Sequence, residues 1–125
     1  MLLDVFLGDF IYVSGTNSYA TARQRCINAG GQLVEIRTQQ DYDRVVEWWE
    51  NNFSPPAYIG GNTLATNGEW AWDSNGDPIP DSSWWNTYDS NRPNSCLIIN
   101  RDDNDIGKME IAGCTLNLPG LCELL

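Results

Sequence analysis

Four cysteines, Cys26, Cys96, Cys114 and Cys122, constrain this 125-residue chain more than any other feature. None belongs to a C-x-x-C pair. The chain has no histidine, so mixed Cys/His zinc sites are excluded, and the wide spacings argue against a cysteine-only site. An even set of this kind points to two disulfides and an oxidising compartment. Four cysteines allow three pairings, and the residues alone select none of them.

The remaining bulk features narrow the function classes. The length suits one domain, taken as residues 1–125. Apolar residues make up 42% and charged residues 19%, enough to build a core. The net charge is −10, with seven Lys and Arg against seventeen Asp and Glu. Nucleic acid and anionic membrane surfaces are therefore disfavoured partners. The acidity serves solubility, or it supplies carboxylates for calcium. No apolar run reaches the length of a membrane span. The segment MLLDVFLGDF carries Asp4 and Asp9 and no basic region, so it does not read as a signal peptide. The expectation is a mature, secreted protein. An enzyme is not expected. Histidine is missing, the cysteines are committed to bridges, and no Ser/Lys or phosphate-loop motif occurs. The adjacent Asp102 and Asp103 read as solvated carboxylates.

Along the chain, residues 2–13 are β-branched and aromatic with Gly8-Asp9 between, predicting one or two strands. SGTNS at 14–18 is a loop that can cap a helix. Tyr19, Ala22, Arg23, Cys26 and Ile27 then recur at helical spacing up to Gly30-Gly31. Residues 32–36 form an extended link. Thr38 and Asp41 form a capping-box pattern, and Tyr42, Val45, Val46 and Trp49 share a stripe of a second helix. Pro55-Pro56 lie beyond its end. AYIGG (57–61) and NGEWAW (67–72) read as strands. Residues 73–95 form a polar loop whose length marks it as functional or disordered. CLIIN (96–100), GKMEIAGC (107–114) and GLCELL (120–125) are three closing strands, the first two joined by the acidic insert 101–105. The whole is an α+β domain.

The ordered set R-x-x-C-x-x-x-G-G-x-L at 23–33, YIGG at 58–61, EWAWD at 69–73 and L-C-E at 121–123 resembles the C-type lectin-like domain, in its small invertebrate form. The resemblance covers nearly the whole chain. It implies two helices packed on antiparallel strands with a long polar loop. It also implies the pairing Cys26–Cys122 and Cys96–Cys114. By the chain-entropy model these bridges contribute about 4–5 and about 3 kcal/mol.

Sugar-binding members hold calcium at the long loop, through a Glu-Pro-Asn or Gln-Pro-Asp triplet and a Trp-Asn-Asp triplet before the third cysteine. This chain departs from both. The second triplet falls on Met109-Glu110-Ile111, where only Glu110 offers side-chain oxygen. The first falls on Asp89-Ser90-Asn91, or on Arg92-Pro93-Asn94 if the proline is matched. A guanidinium repels calcium. The oxygens left for an ion are those of Asp89, Asn91, Asn94 and Glu110, few for a cation that prefers six to eight. The sequence permits calcium without requiring it.

A sugar can also be held without metal. Tyr88 offers a ring to stack on, Asp89 accepts, Asn91 and Asn94 donate and accept, and Arg92 presents a fork of donors. Glu110 completes the candidate carbohydrate site. Trp84 and Trp85 read as core anchors, at least one of them buried. An N-acetylated hexose suits such chemistry. The expected function is a secreted glycan-binding lectin. Gain through dimerisation is expected, and defence by agglutination is a family-level expectation. The alternative is a lectin-like domain that recognises a protein, ice or mineral surface instead.

Overall fold

The computed structural model describes residues 9–14 and 18–125. Of the strand character expected over residues 2–13, β1 (Phe10–Val13) is seen, and residues 2–8 lie outside the described residues.

Helix α1 (Tyr19–Asn28) begins where the Ser18 hydroxyl accepts the Thr21 amide at 3.1 Å. Such a cap satisfies one of the orphan donors of the first turn. Its buried face is Tyr19, Ala22 and Cys26. The stripe is narrower than the spacing predicts, since Ile27 is 43% exposed. Cys26 faces inward to its disulfide, and Ile27, one residue on, is turned roughly 100° away. Helix α2 (Gln39–Glu50) carries the predicted capping box, with Thr38 accepting the Asp41 amide and Asp41 accepting the Thr38 amide. Val45 and Trp49 are its buried residues, and the Trp49 indole donates to the Pro55 carbonyl at 2.6 Å.

The other strands are β2 (Gly31–Leu33), β3 (Ala57–Asn62), β4 (Ala71–Trp72), β5 (Ser95–Arg101), β6 (Gly107–Gly113) and β7 (Gly120–Leu124). They form one sheet ordered β1-β7-β3-β5-β6, with β2 also pairing β7 and β4 pairing β3. The pairing is mixed and not wholly antiparallel, because β3 runs parallel to β7 at Tyr58–Gly120. NGEWAW yields only two strand residues. Gly68 at φ +97 turns the chain ahead of β4, so Trp70 enters the core from a loop.

Two cores flank the sheet. One gathers Tyr19, Cys26, Tyr58, Cys96, Ile98 and Cys122. Tyr19 and Tyr58 meet edge to face at 5.6 Å. The Tyr19 hydroxyl accepts the Asn62 amide at 3.0 Å, and burial pushes its pKa up. The other core holds Trp49, Ile59, Trp70, Trp72, Trp85, Leu97, Ile99 and Met109. The disulfides are Cys26–Cys122 and Cys96–Cys114, the pairing that the resemblance implies. The fold is the α+β arrangement of two helices and a seven-stranded sheet.

Candidate functional site

The loop between β4 and β5 is held from its base to its tip. At the base, the Trp72 amide donates to the Asp77 carbonyl at 2.9 Å, and Gly76 at φ +79 closes the turn. Asp73 is tied to Gly60 by its amide (2.7 Å) and to Arg23 by its carboxylate (2.6 Å). Farther along, the Trp85 indole donates to the Pro80 carbonyl at 2.9 Å. The backbone then lies along β6: the Met109 amide donates to Trp84, and the Asn86 amide to Met109, both at 2.8 Å. This edge pairing fixes which way each neighbouring tryptophan faces. Trp85 is buried, as expected of at least one of them. Trp84 is half-buried, stacked on Tyr42 at 5.7 Å and bonded to Gln39 at 3.2 Å.

Trp85 sits edge-on to Trp70 (5.4 Å) and to Tyr88 (4.9 Å). The Trp70 indole donates to the Asp89 carbonyl at 2.8 Å. Tyr88 and Asp89 therefore rest on two tryptophans whose polar edges are both satisfied, as buried indoles require. Asp89 then caps its own turn, one oxygen accepting the Asn91 amide at 3.1 Å. The other lies 3.5 Å from the Arg92 guanidinium. The Arg92 amide donates to the Gly68 carbonyl at 3.1 Å. Glycine suits that position because its φ of +97 strains any L side chain, and a Cβ would also lie 3.2 Å from the Arg92 amide nitrogen. The exit is clamped by Thr63 and Ser95, which exchange amide bonds of 3.0 Å with the carbonyl of Ser95 and the hydroxyl of Thr63.

Tyr88, Asp89, Asn91 and Arg92 are thus brought together at the tip. Tyr88 and Asp89 are half-buried, and Asn91 and Arg92 are exposed. Asn94 is exposed at the exit, held at φ +51. Glu110 stands apart. Strand alternation places it on the face opposite Met109 and Ile111, which pack with Trp85 and Tyr88. Its carboxylate accepts from Asn100 at 3.2 Å. Among the described residues no hydrogen bond or ion pair joins it to Asp89, Asn91 or Asn94. The sequence reading missed the residues that build the platform, namely Trp70, Gly68 and Thr63. Asn67-Gly68 was a legible turn signal. The indole bond from Trp70 to a backbone nineteen residues away carried no signal.

Calcium fits this donor set poorly. One Asp89 oxygen is taken by an amide, the other faces a guanidinium, and Glu110 is engaged elsewhere. Among the described residues no three carboxylate, cysteine or histidine groups lie close enough to share an ion. The acidic insert is self-capped: Asp102 accepts the amides of Asn104 (2.8 Å) and Ile106 (3.0 Å), and Asp105 pairs with Arg101 (3.1 Å). No described helix is long and apolar enough to cross a membrane.

The family model described as "Lectin C-type domain" matches residues 15–124. The fold is similar to that of TC14, a C-type lectin from the tunicate Polyandrocarpa misakiensis, at TM-score 0.72 and 20% identity, covering 91% of this chain and 94% of that one. It is similar to a Ca2+-dependent type II antifreeze protein in its Ca2+-free form (TM-score 0.70, 20% identity, 90% and 88% covered). It is also similar to a calcium-independent type II antifreeze protein (TM-score 0.68, 18% identity, 90% and 82% covered). The fold thus occurs with and without calcium dependence. No curated protein matches the chain by sequence.

Proposed function

The chain belongs to the C-type lectin domain family, a non-enzymatic binding family, and we propose that it binds glycans directly through the tip of its long loop, without calcium. The observation that carries this reading is the pinned tip itself. An acceptor carboxylate (Asp89), a donor fork (Arg92), an amide (Asn91) and part of a tyrosine ring (Tyr88) stand side by side on a tryptophan platform. Paired donors and acceptors beside an aromatic ring are what a sugar needs. An N-acetylated hexose fits best. Its amide N–H meets Asp89, its carbonyl meets Arg92 or Asn91, and its methyl meets the ring of Tyr88. Asn94 is a flanking contact.

The tip is already ordered by its own hydrogen bonds, so little ordering cost falls on binding. Single-site affinity is nevertheless weak, because the contacts are few. Two linked sites would raise it, and a dimer in solution, read by light scattering, belongs to this proposal. The two disulfides fit a secreted protein. The test is a glycan array read with calcium and again with chelator, beside Asp89→Ala. Retained binding under chelation and loss in the variant support the reading.

A second reading is favoured by one observation. Ile111, at the position that the resemblance gives to the aspartate of the Trp-Asn-Asp triplet, packs against the core and offers no oxygen. On that reading the surface recognises a protein, ice or mineral. It predicts no glycan signal in either condition.

A further inference from the structure

At the base of the long loop an exposed guanidinium bonds several oxygens at once, one of them on a buried carboxylate. Arg37 follows β2 and precedes α2. Its Nη1 donates to Asp77 at 2.6 Å. Its Nη2 donates to Glu35 at 2.8 Å and to Asn75 at 2.9 Å, with a weaker contact to the Ser74 hydroxyl at 3.4 Å. Glu35 is 7% exposed. Its carboxylate also accepts the Ser74 amide (2.9 Å) and hydroxyl (2.8 Å). Asn75 and Asp77 are joined to each other, by Asn75 donating to the Asp77 carboxylate at 2.9 Å and accepting its amide at 3.0 Å. Two carboxylates, an amide oxygen and a hydroxyl converge from one turn and one strand end. These are hard oxygen donors of the kind that bind calcium, and a buried carboxylate needs a positive partner.

We propose that Arg37 is a built-in cation at the surface that takes the place of a metal ion in ordering the base of the long loop. A planar guanidinium can satisfy several oxygens in fixed directions, and here it links the strand end at Glu35 to the turn at 74–77. The turn passes through the Ala71–Pro78 bridge to Pro80, whose carbonyl holds Trp85, which supports Tyr88. Arg37 is therefore a positioning residue for the tip, and the tip is ordered whether or not calcium is present. This inference is independent of the glycan reading, since it concerns how the loop is held and not what it binds.

The test uses terbium as a calcium stand-in, with the nearby Trp72 as sensitiser. Wild-type protein is expected to show no sensitised emission that calcium displaces, and the same melting temperature in calcium and in chelator. Arg37→Ala vacates the cage. It is expected to melt about 4–8 °C lower, to gain terbium emission displaced by calcium on the order of 0.1–1 mM, and to recover stability when calcium is added. Arg37→Lys, which keeps a cation in place, is expected to stay dark. A folded Arg37→Ala variant with no gained emission overturns the proposal. If that variant does not fold, the wild-type melt decides: no change between chelator and millimolar calcium supports the proposal, and a rise of several degrees with calcium overturns it.

Discussion

The half of the molecule around α1 and β7 and the half that carries the long loop are held by different forces. The first is covalent and sheet-bound. Cys26–Cys122 ties the first helix to the last strand across 96 residues, and β7 pairs with β1, β2 and β3. The second has almost no regular structure between Trp72 and Ser95. Its order comes from isolated backbone bonds to Gly60, Gly68 and Met109 and from side chains: three indole N–H groups reaching carbonyl or amide oxygens, one arginine bonded to several oxygens, and one threonine–serine clamp. The contrast teaches that a loop without strands need not be soft. Its polar groups are satisfied one at a time, by scattered backbone and side-chain partners, instead of by a ladder.

Breaking the first half should cost most. Replacing Cys26 and Cys122 by serine is expected to lower unfolding free energy by about 4–5 kcal/mol, and replacing Cys96 and Cys114 by about 3. Urea unfolding measures both. A smaller cost for the long-range bridge than for the short one would contradict the chain-entropy ranking of the two bridges.

Next comes the tryptophan platform. Trp85→Ala removes a buried ring and is expected to cost about 3–5 kcal/mol, together with glycan binding. Trp84→Ala should cost clearly less, because Trp84 is half-exposed and stacked on one face. Equal losses for the pair would show that the buried and surface roles have been misassigned.

A smaller effect tests the capping box. Thr38→Ala is expected to cost about 1 kcal/mol, with glycan binding unchanged, because it frays α2 without touching the tip. Loss of binding in that variant would show that the helix and the loop are less separable than their contacts indicate.

The smallest effect is a pH dependence. Hydrogen bonds from Arg37 and then Asn75 hold the Asp77 carboxyl below its ordinary value of 3.8. Its folded pKa is depressed, so its contribution is fully present above the unfolded value. It is lost as pH falls below 3.8 and through the folded pKa. Asp77→Asn should therefore lower the melting temperature slightly at neutral pH, leave it little changed in strong acid, and so flatten the acid limb of the profile below about pH 4. An unaltered acid limb would separate Asp77 from the arginine cluster.

Legibility from sequence divides along the same line. The regular half could be read. Thr38 and Asp41 announce the capping box by local spacing, and the closing strands announce themselves as short, largely apolar segments. The disulfide pairing needed the family resemblance, since nothing local in Cys26 points to Cys122. The loop half was legible only in outline. WWNTYDSNRPN marks a binding segment by composition, yet Glu35, Arg37, Asn75 and Asp77 meet across about forty residues with no spacing rule to join them. Period-two alternation did carry one unused signal: Glu110 lies on the face opposite Ile111, so it points away from the side on which the tryptophan platform sits.

Calcium independence of glycan recognition is tested most directly by the glycan array, read in calcium and again in chelator on the same disulfide-bonded protein. Binding to N-acetylated sugars that persists unchanged in chelator, and disappears in Asp89→Ala with folding intact, is the expected result. Binding that vanishes on chelation would contradict it.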